Sequence, residues 1–543
     1  MTQAHNMTDY DKTYAEFRVA VPEFFNFAGD VVDKWAQDPE KLAMLWVDDT
    51  GNEVRSTFLD LVNASKKLAN VLTANGVRRD DVILVVLPRN TEWWETLTAG
   101  IRMGALLAPG TTQLTAKDLE FRANTSQAAC LITNHDIAVK FEQIQDKCPT
   151  VKTKIVISSP RDGWIFYDEA LAAASKQFET VKTRSSDTCL VYFTSGTVGL
   201  PKMALHTHAS YPIGHQCTGR FWLDLRPADL HWNVSDTGWA KAAWSSYFGP
   251  WHCGAALFIH HSERFDPVKT LELLERYPIT TMCGTPTVYR LLSLQDISAY
   301  RFPALRHCVA AGEALGAEII EGWKRATGIT IRDGYGQTET ALLAGSFPCI
   351  APRFGSMGKP APGIDLRVIG GNGDVLPPDT EGDIAVRVKP VRPVGLFKEY
   401  WKEPDRTASV FKGDWYLTGD RAYMDEDGYF WFVGRSDDVI LTSGYRIGPF
   451  EVESALTEHP AVAESAVVSS PDETRGEVVK AFVVLAPGFT PGEKLAKELQ
   501  DHVKKATAPY KHPRKIEFVD ALPKTVSGKV RRVELRNAEW GKC

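Results

Sequence analysis

Residues 194–202 read Thr-Ser-Gly-Thr-Val-Gly-Leu-Pro-Lys and follow an apolar run, Leu-Val-Tyr-Phe, at 190–193. The run predicts a buried strand, and the stretch after it predicts a loop. Its two glycines let the backbone turn and direct amide groups towards an anion, while three hydroxyls and a lysine add donors and positive charge. The loop therefore predicts a polyphosphate site, although it does not follow the Gly-x-x-x-x-Gly-Lys-Ser/Thr pattern of a Walker loop. A flexible surface loop is the alternative interpretation.

Further glycine-containing polar segments follow in a fixed order. They are Gly-Tyr-Gly-Gln-Thr-Glu at 334–339, Tyr-Leu-Thr-Gly-Asp at 416–420, Gly-Arg-Ser-Asp-Asp at 434–438, Gly-Tyr-Arg at 444–446 and Pro-Lys-Thr-Val-Ser-Gly-Lys at 523–529. In this order the segments resemble those of the acyl-adenylate-forming ligase superfamily, which contains acyl-CoA synthetases, peptide-synthetase adenylation domains and luciferases. The resemblance covers almost the whole chain. It is strongest to the medium-chain acyl-CoA synthetases, through Ser-Asp-Thr-Gly-Trp at 235–239, the segment 444–453 and Ala-Pro-Tyr-Lys at 508–511.

The length and composition are those of a multidomain globular protein. A chain of 543 residues exceeds a single core, and two to four domains are expected. The hydrophobic fraction of 44% and the charged fraction of 24% are ordinary for such proteins. The net charge of −6 does not indicate affinity for nucleic acid, and no uncharged apolar run reaches membrane length. We expect neither nucleic-acid binding nor stable membrane insertion.

The cysteines and the first residues bear on the compartment. Nine cysteines without a Cys-x-x-Cys pair argue against a disulfide framework or a zinc site and favour a reducing compartment. The N-terminus has no apolar signal segment and carries Asp9, Asp11 and Glu16, so neither a secretory nor a mitochondrial presequence is evident. These observations predict a cytoplasmic protein.

Alternating apolar runs and helical patterns predict an α/β fold. Residues 56–75 place apolar side chains on one helical face and end at Gly76, a plausible C-cap. Thr115 and Asp118 form a capping-box pattern at the start of another helix. Buried-strand candidates lie between such helices, at 82–87, 130–133, 154–158, 255–260, 280–283 and 307–311. This alternation predicts a large N-terminal domain built of two parallel sheets with helices on both faces.

The pattern changes after about residue 350. Short strands at 365–369, 383–388 and 429–433, separated by turns such as Gly-Gly-Asn-Gly at 370–373, predict a small β-rich subdomain over 351–436. The last part combines a helix started by Pro449 with strands at 465–469 and 480–485. The expected domains are therefore 1–436, the acyl-adenylating domain, and 437–543, a small α+β domain that the resemblance implies to be mobile.

The resemblance implies a two-step reaction in which a carboxylic acid and ATP give acyl-AMP and pyrophosphate, and CoA then takes the acyl group. Negative charge gathers on the α-phosphate in the first step, so donors and cations are needed there. The implied roles are α-phosphate contact for Thr338, Mg²⁺ binding for Glu339 and ribose binding for Asp420. The implied ATP-binding residues are Thr194, Ser195, Gly196, Thr197, Gly199, Lys202, Gly312, Glu313, Tyr335, Gln337, Thr338, Asp420 and Arg435. Two positions next to these residues depart from the family pattern. Val198 stands where the family usually has a hydroxyl residue, and Ala314 stands where it often has proline.

The resemblance also implies that the C-terminal domain turns about Asp437, the hinge. One pose presents Lys529 to the adenylation site as the catalytic cation, and the other presents the segment around Gly444 to the thioester site. The implied CoA-binding residues are Ser443, Gly444, Tyr445, Arg446, Arg475 and Lys505. The locally basic region 511–536 suits the phosphates of CoA better than DNA, or is a solvated face.

The acyl pocket is expected around 239–251, a segment dense in aromatic residues. Such density usually means core packing, but Trp239 is predicted to form a pocket wall together with Gly336. Lys241 either marks a polar substrate group or lies in an exposed turn. His206 and His208 could suggest a metal pair, but no third ligand is near them in sequence and a structural role is favoured.

Together these features predict an AMP-forming acyl-CoA synthetase that uses ATP, CoA, Mg²⁺ and a short- to medium-chain or branched carboxylic acid. An aromatic acid–CoA ligase and a carrier-protein-loading adenylating enzyme are alternatives within the superfamily. A nucleotide-binding regulatory protein without turnover is the alternative from another class, and the presence of Lys529, Glu339 and Asp437 argues against it.

Overall fold

The computed structural model describes residues 4–194, 201–313, 315–436, 438–442, 445–472, 476–507, 511–524 and 529–541, without the side chains of Leu441, Tyr445 and Arg446. Within these residues the chain forms an α/β fold with a large N-terminal domain and a small C-terminal domain, which confirms the predicted fold class. No helix in the described ranges combines the length and the apolar character needed to cross a membrane.

A nine-stranded sheet forms one half of the N-terminal domain. Its central strands are parallel and its edge strands antiparallel. In spatial order the strands are Lys359–Pro360, Leu342–Gly345, Ile331–Gly336, His307–Ala311, Thr281–Gly284, Leu230–Asn233, Ala256–His261, Leu42–Asp48 and Glu53–Thr57.

An eight-stranded sheet forms the other half. It is parallel except for two antiparallel strands at one edge, Lys202–Thr207 and Glu399–Tyr400. In spatial order the strands are Glu399–Tyr400, Lys202–Thr207, Thr188–Thr194, Leu106–Pro109, Val82–Val86, Cys130–Thr133, Thr153–Val156 and Ile165–Phe166.

Helices cover these sheets, and the helix predicted from the Thr115 capping pattern begins there. Thr57 and Asp60 form a capping box at the start of Phe58–Ala74, and Thr115 and Asp118 form one at the start of Ala116–Ser126. The helices of six or more residues in this domain are Tyr10–Glu16, Phe58–Ala74, Thr91–Met103, Ala116–Ser126, His135–Glu142, Tyr167–Ala173, Pro267–Arg276, Pro286–Ser293, Ala317–Thr327 and Pro404–Ser409.

Two smaller parts complete the chain. An antiparallel sheet contains Leu366–Ile369, Gly382–Arg387, Phe411–Lys412, Trp415–Met424 and Phe430–Arg435, as the β-rich texture predicts. The C-terminal part contains the hairpin Ile440–Thr442 and Tyr445–Ile447, the strands Val462–Asp472, Gly476–Leu485 and Lys515–Phe518, and the helices Pro449–Thr457, Glu493–Ala506 and Arg532–Glu539.

Candidate active site

Several of the predicted nucleotide residues lie at the carboxyl ends of neighbouring parallel strands in the nine-stranded sheet. His307–Ala311 leads directly into Gly312 and Glu313, and Ile331–Gly336 leads into Gln337, Thr338 and Glu339. Ligands of open α/β sheets bind at this end because the loops there diverge and leave a crevice.

Lys202, Glu339 and Tyr400 form a compact charged cluster at this crevice. The Nζ of Lys202 lies 3.0 Å from Oε1 of Glu339 and donates to the Tyr400 hydroxyl over 2.6 Å. That hydroxyl donates to the same Oε1 over 2.7 Å. Burial raises the pKa of the Glu339 carboxyl, but the Lys202 charge and the Tyr400 hydrogen bond outweigh burial and hold that pKa below its ordinary value. The carboxylate is therefore ionised at neutral pH.

Backbone pairing brings these three residues together. Lys202 starts the strand Lys202–Thr207, which pairs with Glu399–Tyr400. The amide of Phe397 donates to the carbonyl of Glu339 over 2.8 Å. Tyr400 is a site residue that the sequence motifs missed, since no glycine-rich or hydroxyl-rich pattern surrounds it.

Thr338 is held through its backbone by a buried histidine. The Nε2 of His206 donates to the Thr338 carbonyl over 2.8 Å, and Nδ1 contacts the Ser210 hydroxyl at 3.1 Å. Burial lowers the pKa of His206 to about 4, so the imidazole is neutral. His206 therefore has a structural role, which is to hold the backbone of Thr338 in place.

Asp420 lies at the centre of a second polar cluster. Its Oδ2 accepts hydrogen bonds from the Tyr335 hydroxyl at 2.6 Å and from Nε2 of Gln337 at 2.7 Å, and its Oδ1 accepts from Nη1 of Arg435 at 3.0 Å. Burial raises the pKa of the Asp420 carboxyl, and the Arg435 charge opposes that rise. Gln337 is itself fixed by Tyr416, whose hydroxyl donates to Oε1 of Gln337 over 3.0 Å.

Sheet register sets the Asp420–Arg435 contact, because the two residues are direct partners in the pairing of Trp415–Met424 with Phe430–Arg435. Gly419 has a φ of +74°, and a Cβ there would lie 3.2 Å from the Arg435 guanidinium. Glycine suits this position because the strand adopts a left-handed backbone conformation there.

Lys241 occupies a buried position between two strand ends. Its Nζ donates to the carbonyl of Gly284 and, over 3.0 Å, to the carbonyl of Ala311. Lys241 is only 8% exposed, so the interpretation as an exposed turn is wrong. Burial lowers the pKa of its ammonium, and the charge of Lys529 lowers it further.

The aromatic segment divides into core and crevice residues. Tyr247, Phe248 and Trp251 are fully buried in the core cluster that contains residues of both large sheets, as the usual meaning of such density predicts. Trp239 is half-buried and precedes the short helix Ala240–Ala243. The turn before it is tight, because a Cβ on Gly238 would lie 2.0 Å from the Thr111 amide nitrogen.

The remaining predicted residues of the N-terminal domain lie around the same crevice. Thr194 ends its strand opposite Lys202 in the hairpin register. Gly312 is exposed with a φ of +106°, and the Glu313 carboxylate accepts a hydrogen bond from the Thr287 hydroxyl over 2.8 Å. Gly336 is exposed at the end of its strand, and its role in the acyl pocket stays a prediction.

Two of the predicted lysines of the C-terminal domain are exposed. Lys529 is exposed, and its charge lowers the pKa of the buried Lys241 in the N-terminal domain. Lys505 is exposed in the last turn of the helix Glu493–Ala506. Tyr445 and Arg446 lie on a hairpin strand that pairs with Ile440–Thr442.

Several predicted residues lie outside the described residues, and their roles stay predictions. They are Ser195, Gly196, Thr197 and Gly199 of the phosphate loop, Asp437 of the hinge, and Ser443, Gly444 and Arg475 of the CoA segment.

Comparison with known proteins defines the class. The profile of the AMP-binding enzyme family matches residues 31–401, and that of the AMP-binding enzyme C-terminal domain matches 451–529. The human acyl-coenzyme A synthetase ACSM3, mitochondrial, is 51% identical over 545 residues, which cover 98% of this chain and 93% of the relative. The human ACSM4 protein is 51% identical over 530 residues, with 96% and 91% covered. The chain therefore belongs to the AMP-binding enzyme family. Within that family it groups with the acyl-coenzyme A synthetases, acid–thiol ligases, which confirms the predicted enzyme class.

Solved structures agree with this assignment. The anthranilate CoA ligase AuaEII in complex with anthranoyl-AMP superposes with a TM-score of 0.88 at 30% identity, covering 96% of this chain and 98% of that one. The acyl-CoA synthetase of Brucella canis gives a TM-score of 0.77 at 33% identity, with 98% and 99% covered. The benzoate CoA ligase of Burkholderia xenovorans LB400 gives 0.82 at 28% identity, with 94% and 100% covered.

The predicted cytoplasmic location is contradicted by these relatives. The ACSM3 proteins of human, rat, mouse and orangutan are all named mitochondrial. The prediction depended on the lack of an evident presequence, and that observation does not report where the folded chain works.

Proposed function

We propose that the protein joins a short- to medium-chain or branched carboxylic acid to CoA in two steps, with acyl-AMP as the intermediate. The observation that carries the proposal is the arrangement at the strand ends. Lys202 pairs with Glu339, Asp420 pairs with Arg435, and the charge of Lys529 lowers the pKa of the buried Lys241. This arrangement offers cations to a triphosphate and a carboxylate to a ribose.

In the first step, Lys202 and the loop before it hold the phosphates, and Thr338 contacts the α-phosphate. Asp420 accepts hydrogen bonds from the ribose hydroxyls, and the Arg435 charge opposes the rise that burial causes in the pKa of that carboxyl. Lys529 approaches the oxygens that gain negative charge as the acid carboxylate attacks phosphorus. A preorganised cation at such a position is worth several kcal/mol to the rate, about 3–4 kcal/mol by comparison with oxyanion-hole donors.

Glu339 suits a magnesium ion. Lys202 and Tyr400 both contact Oε1, and Oε2 is the oxygen that we assign to the metal. The part of the chain that the structure describes holds no cluster of three or more metal-ligating side chains. A single carboxylate fits Mg²⁺, which takes one or two protein ligands and completes its shell with phosphates and water. When bound, the ion neutralises charge on the phosphates.

For the second step we propose that residues 437–543 turn about Asp437 and bring the segment 443–446 to the crevice, where CoA enters. Arg446, Arg475 and Lys505 then meet the CoA phosphates.

The acid class follows from the wall of the crevice. Lys241 fills the space between two strand ends, and Trp239, two residues earlier, is half-buried, which argues against a long straight channel at this position. Aromatic acids are the second candidate, because solved neighbours include an anthranilate and a benzoate CoA ligase.

The test is a substrate panel from acetate to dodecanoate, with branched acids, benzoate and anthranilate, scored by CoA-dependent AMP formation. We expect the highest kcat/KM for short- to medium-chain or branched acids. A maximum with benzoate or anthranilate would replace this proposal by the aromatic one, and transfer only to a carrier protein would replace CoA as acceptor.

A further inference from the structure

A partly buried ion pair has one member close in sequence to Lys529. Glu453, on the helix Pro449–Thr457, is 7% exposed and accepts from Nε of Arg532 at 2.8 Å and from Nη2 at 2.6 Å. Its Oε1 also accepts from the backbone amide of Val467 over 2.7 Å. The contact is bidentate, and a bidentate carboxylate fixes both the position and the plane of a guanidinium.

Arg532 begins the helix Arg532–Glu539, three residues after Lys529. The residues that follow Lys529 pair with the chain that precedes it. Lys524 and Val530 form an antiparallel β-bridge, and the amide of Arg531 donates to the Pro523 carbonyl over 2.8 Å. Lys529 therefore directly precedes the bridge residue Val530, and the chain just after it is anchored by the Glu453–Arg532 pair.

The same helix is tied to the proposed hinge. Nη1 of Arg536 donates to Oδ1 of Asp438 over 2.8 Å, and Asp438 follows position 437 directly. The helix after Lys529 therefore contacts Glu453 through Arg532 and, one turn later, Asp438 through Arg536. A rotation about residue 437 will carry Lys529 with it as one rigid unit.

A charge of the N-terminal domain also contributes to the pKa of Arg532. Burial lowers the pKa of its guanidinium, but Glu453 outweighs burial, and the charges of Asp438 and Glu313 add to the rise. Glu313 belongs to the predicted adenine-side segment of the N-terminal domain.

We infer that Glu453 and Arg532 are positioning residues for the adenylation step: their ion pair sets the place at which the Lys529 ammonium enters the active site. The inference rests on the proposed role of Lys529. Stability alone is a weak reason for such a pair, because buried ion pairs contribute no more to stability than well-packed apolar side chains do.

The experiment measures the two half-reactions separately in Arg532→Gln and Glu453→Gln. We expect kcat for acyl-AMP formation to fall by about 10- to 100-fold, the loss typical for groups that orient a catalytic residue. KM for ATP and thioester formation from supplied acyl-AMP should remain close to wild type. Glu498→Gln, which removes a partner of His459 in the same domain, is the matched control. Arg532→Lys keeps the charge but not the fork, so it should restore part of the rate. This variant is the one to measure where a glutamine variant does not fold.

The decisive comparison uses a Lys529→Ala background. If the pair acts through Lys529, Arg532→Gln will cause no further loss of acyl-AMP formation there. A further loss of the same size in that background, or an equal loss in both half-reactions, would overturn the positioning role while leaving the role of Lys529 intact. Full acyl-AMP formation in Lys529→Ala alone would overturn the proposed function itself, and the inference with it.

Discussion

The ammonium of Lys202 and the carboxylate of Glu339 lie 3.0 Å apart, and the hydroxyl of Tyr400 contacts both. The cation belongs to the phosphate loop and the anion to the proposed metal position, so the two halves of a nucleotide site neutralise each other in the structure. Tyr400 sets their spacing, and Lys202 lies over its ring at 4.2 Å.

Tyr400→Phe tests this cluster. Loss of the hydroxyl removes one hydrogen bond to a charged group, which is worth about 1.5–3 kcal/mol, so we expect adenylation to slow by roughly 10- to 100-fold. The pKa of Glu339 should rise, since Tyr400 helps to hold it low, and the acid limb of kcat/KM should move to higher pH. Tyr429→Phe, which loses a hydroxyl bonded to the Ala351 carbonyl, is the control. An unchanged acid limb would show that Glu339 does not set it.

Lys529→Ala should separate the half-reactions. Removing a cation from developing negative charge costs about 3–4 kcal/mol, so acyl-AMP formation should fall by roughly two to three orders of magnitude. Thioester formation from supplied acyl-AMP should survive. Pyrophosphate release and thiol consumption, assayed separately, give the two rates, and an equal decline of both would contradict the role.

Asp420→Asn should weaken ATP binding. The substitution leaves Arg435 with a neutral partner and removes the charged acceptor proposed for the ribose, so KM for ATP should rise by about tenfold or more, at about 1.5–3 kcal/mol per charged hydrogen bond. The matched control is Asp383→Asn on the same sheet, which contacts Arg421 at 3.2 Å. A KM for ATP that stays at the wild-type value would place the ribose elsewhere.

Trp239→Gly should shift preference towards longer acids. The indole is half-buried, so its removal opens space, and each methylene that fills this space contributes about 0.8 kcal/mol. The ratio of kcat/KM between acids measures the shift. Trp251→Gly, in the core, should instead lower the melting temperature and the rate with every acid. A stable Trp239 variant with the wild-type length profile would remove this residue from the pocket.

Buried histidines should make the fold acid-sensitive. Burial lowers the pKa of His208 to about 4. Since this is below the value of the unfolded chain, the unfolded state binds more protons below pH 6.5, and stability present above that pH is lost as the pH falls towards 4. At pH 5 the loss from one such histidine is about 2 kcal/mol. His208→Leu should lessen the difference between denaturant midpoints at pH 7 and pH 5, with the exposed His135→Leu as control. An identical difference in the variant would show that His208 is not the source.

Local chemistry made much of the fold predictable. The capping boxes at Thr57 and Thr115 act within four residues, and the strands Cys130–Thr133 and His307–Ala311 are continuous apolar runs bounded by polar turns. The nucleotide motifs could also be recognised in the sequence, because each combines glycines and polar side chains close together in the chain. The roles of their residues stay predictions. The cellular location was predicted wrongly, since the patterns that determine folding do not encode it.

The sequence by itself determined many of the segments that form strands and helices, because these depend on neighbours along the chain, and it predicts which loop carries phosphate chemistry. Only the tertiary structure decided that Tyr400 joins Lys202 across 198 residues, that Lys241 lies between two strand ends, and that Glu453 pairs with Arg532. Sheet register and domain packing set these contacts. Both are outcomes of the whole chain's burial and hydrogen bonding, and no short pattern records them.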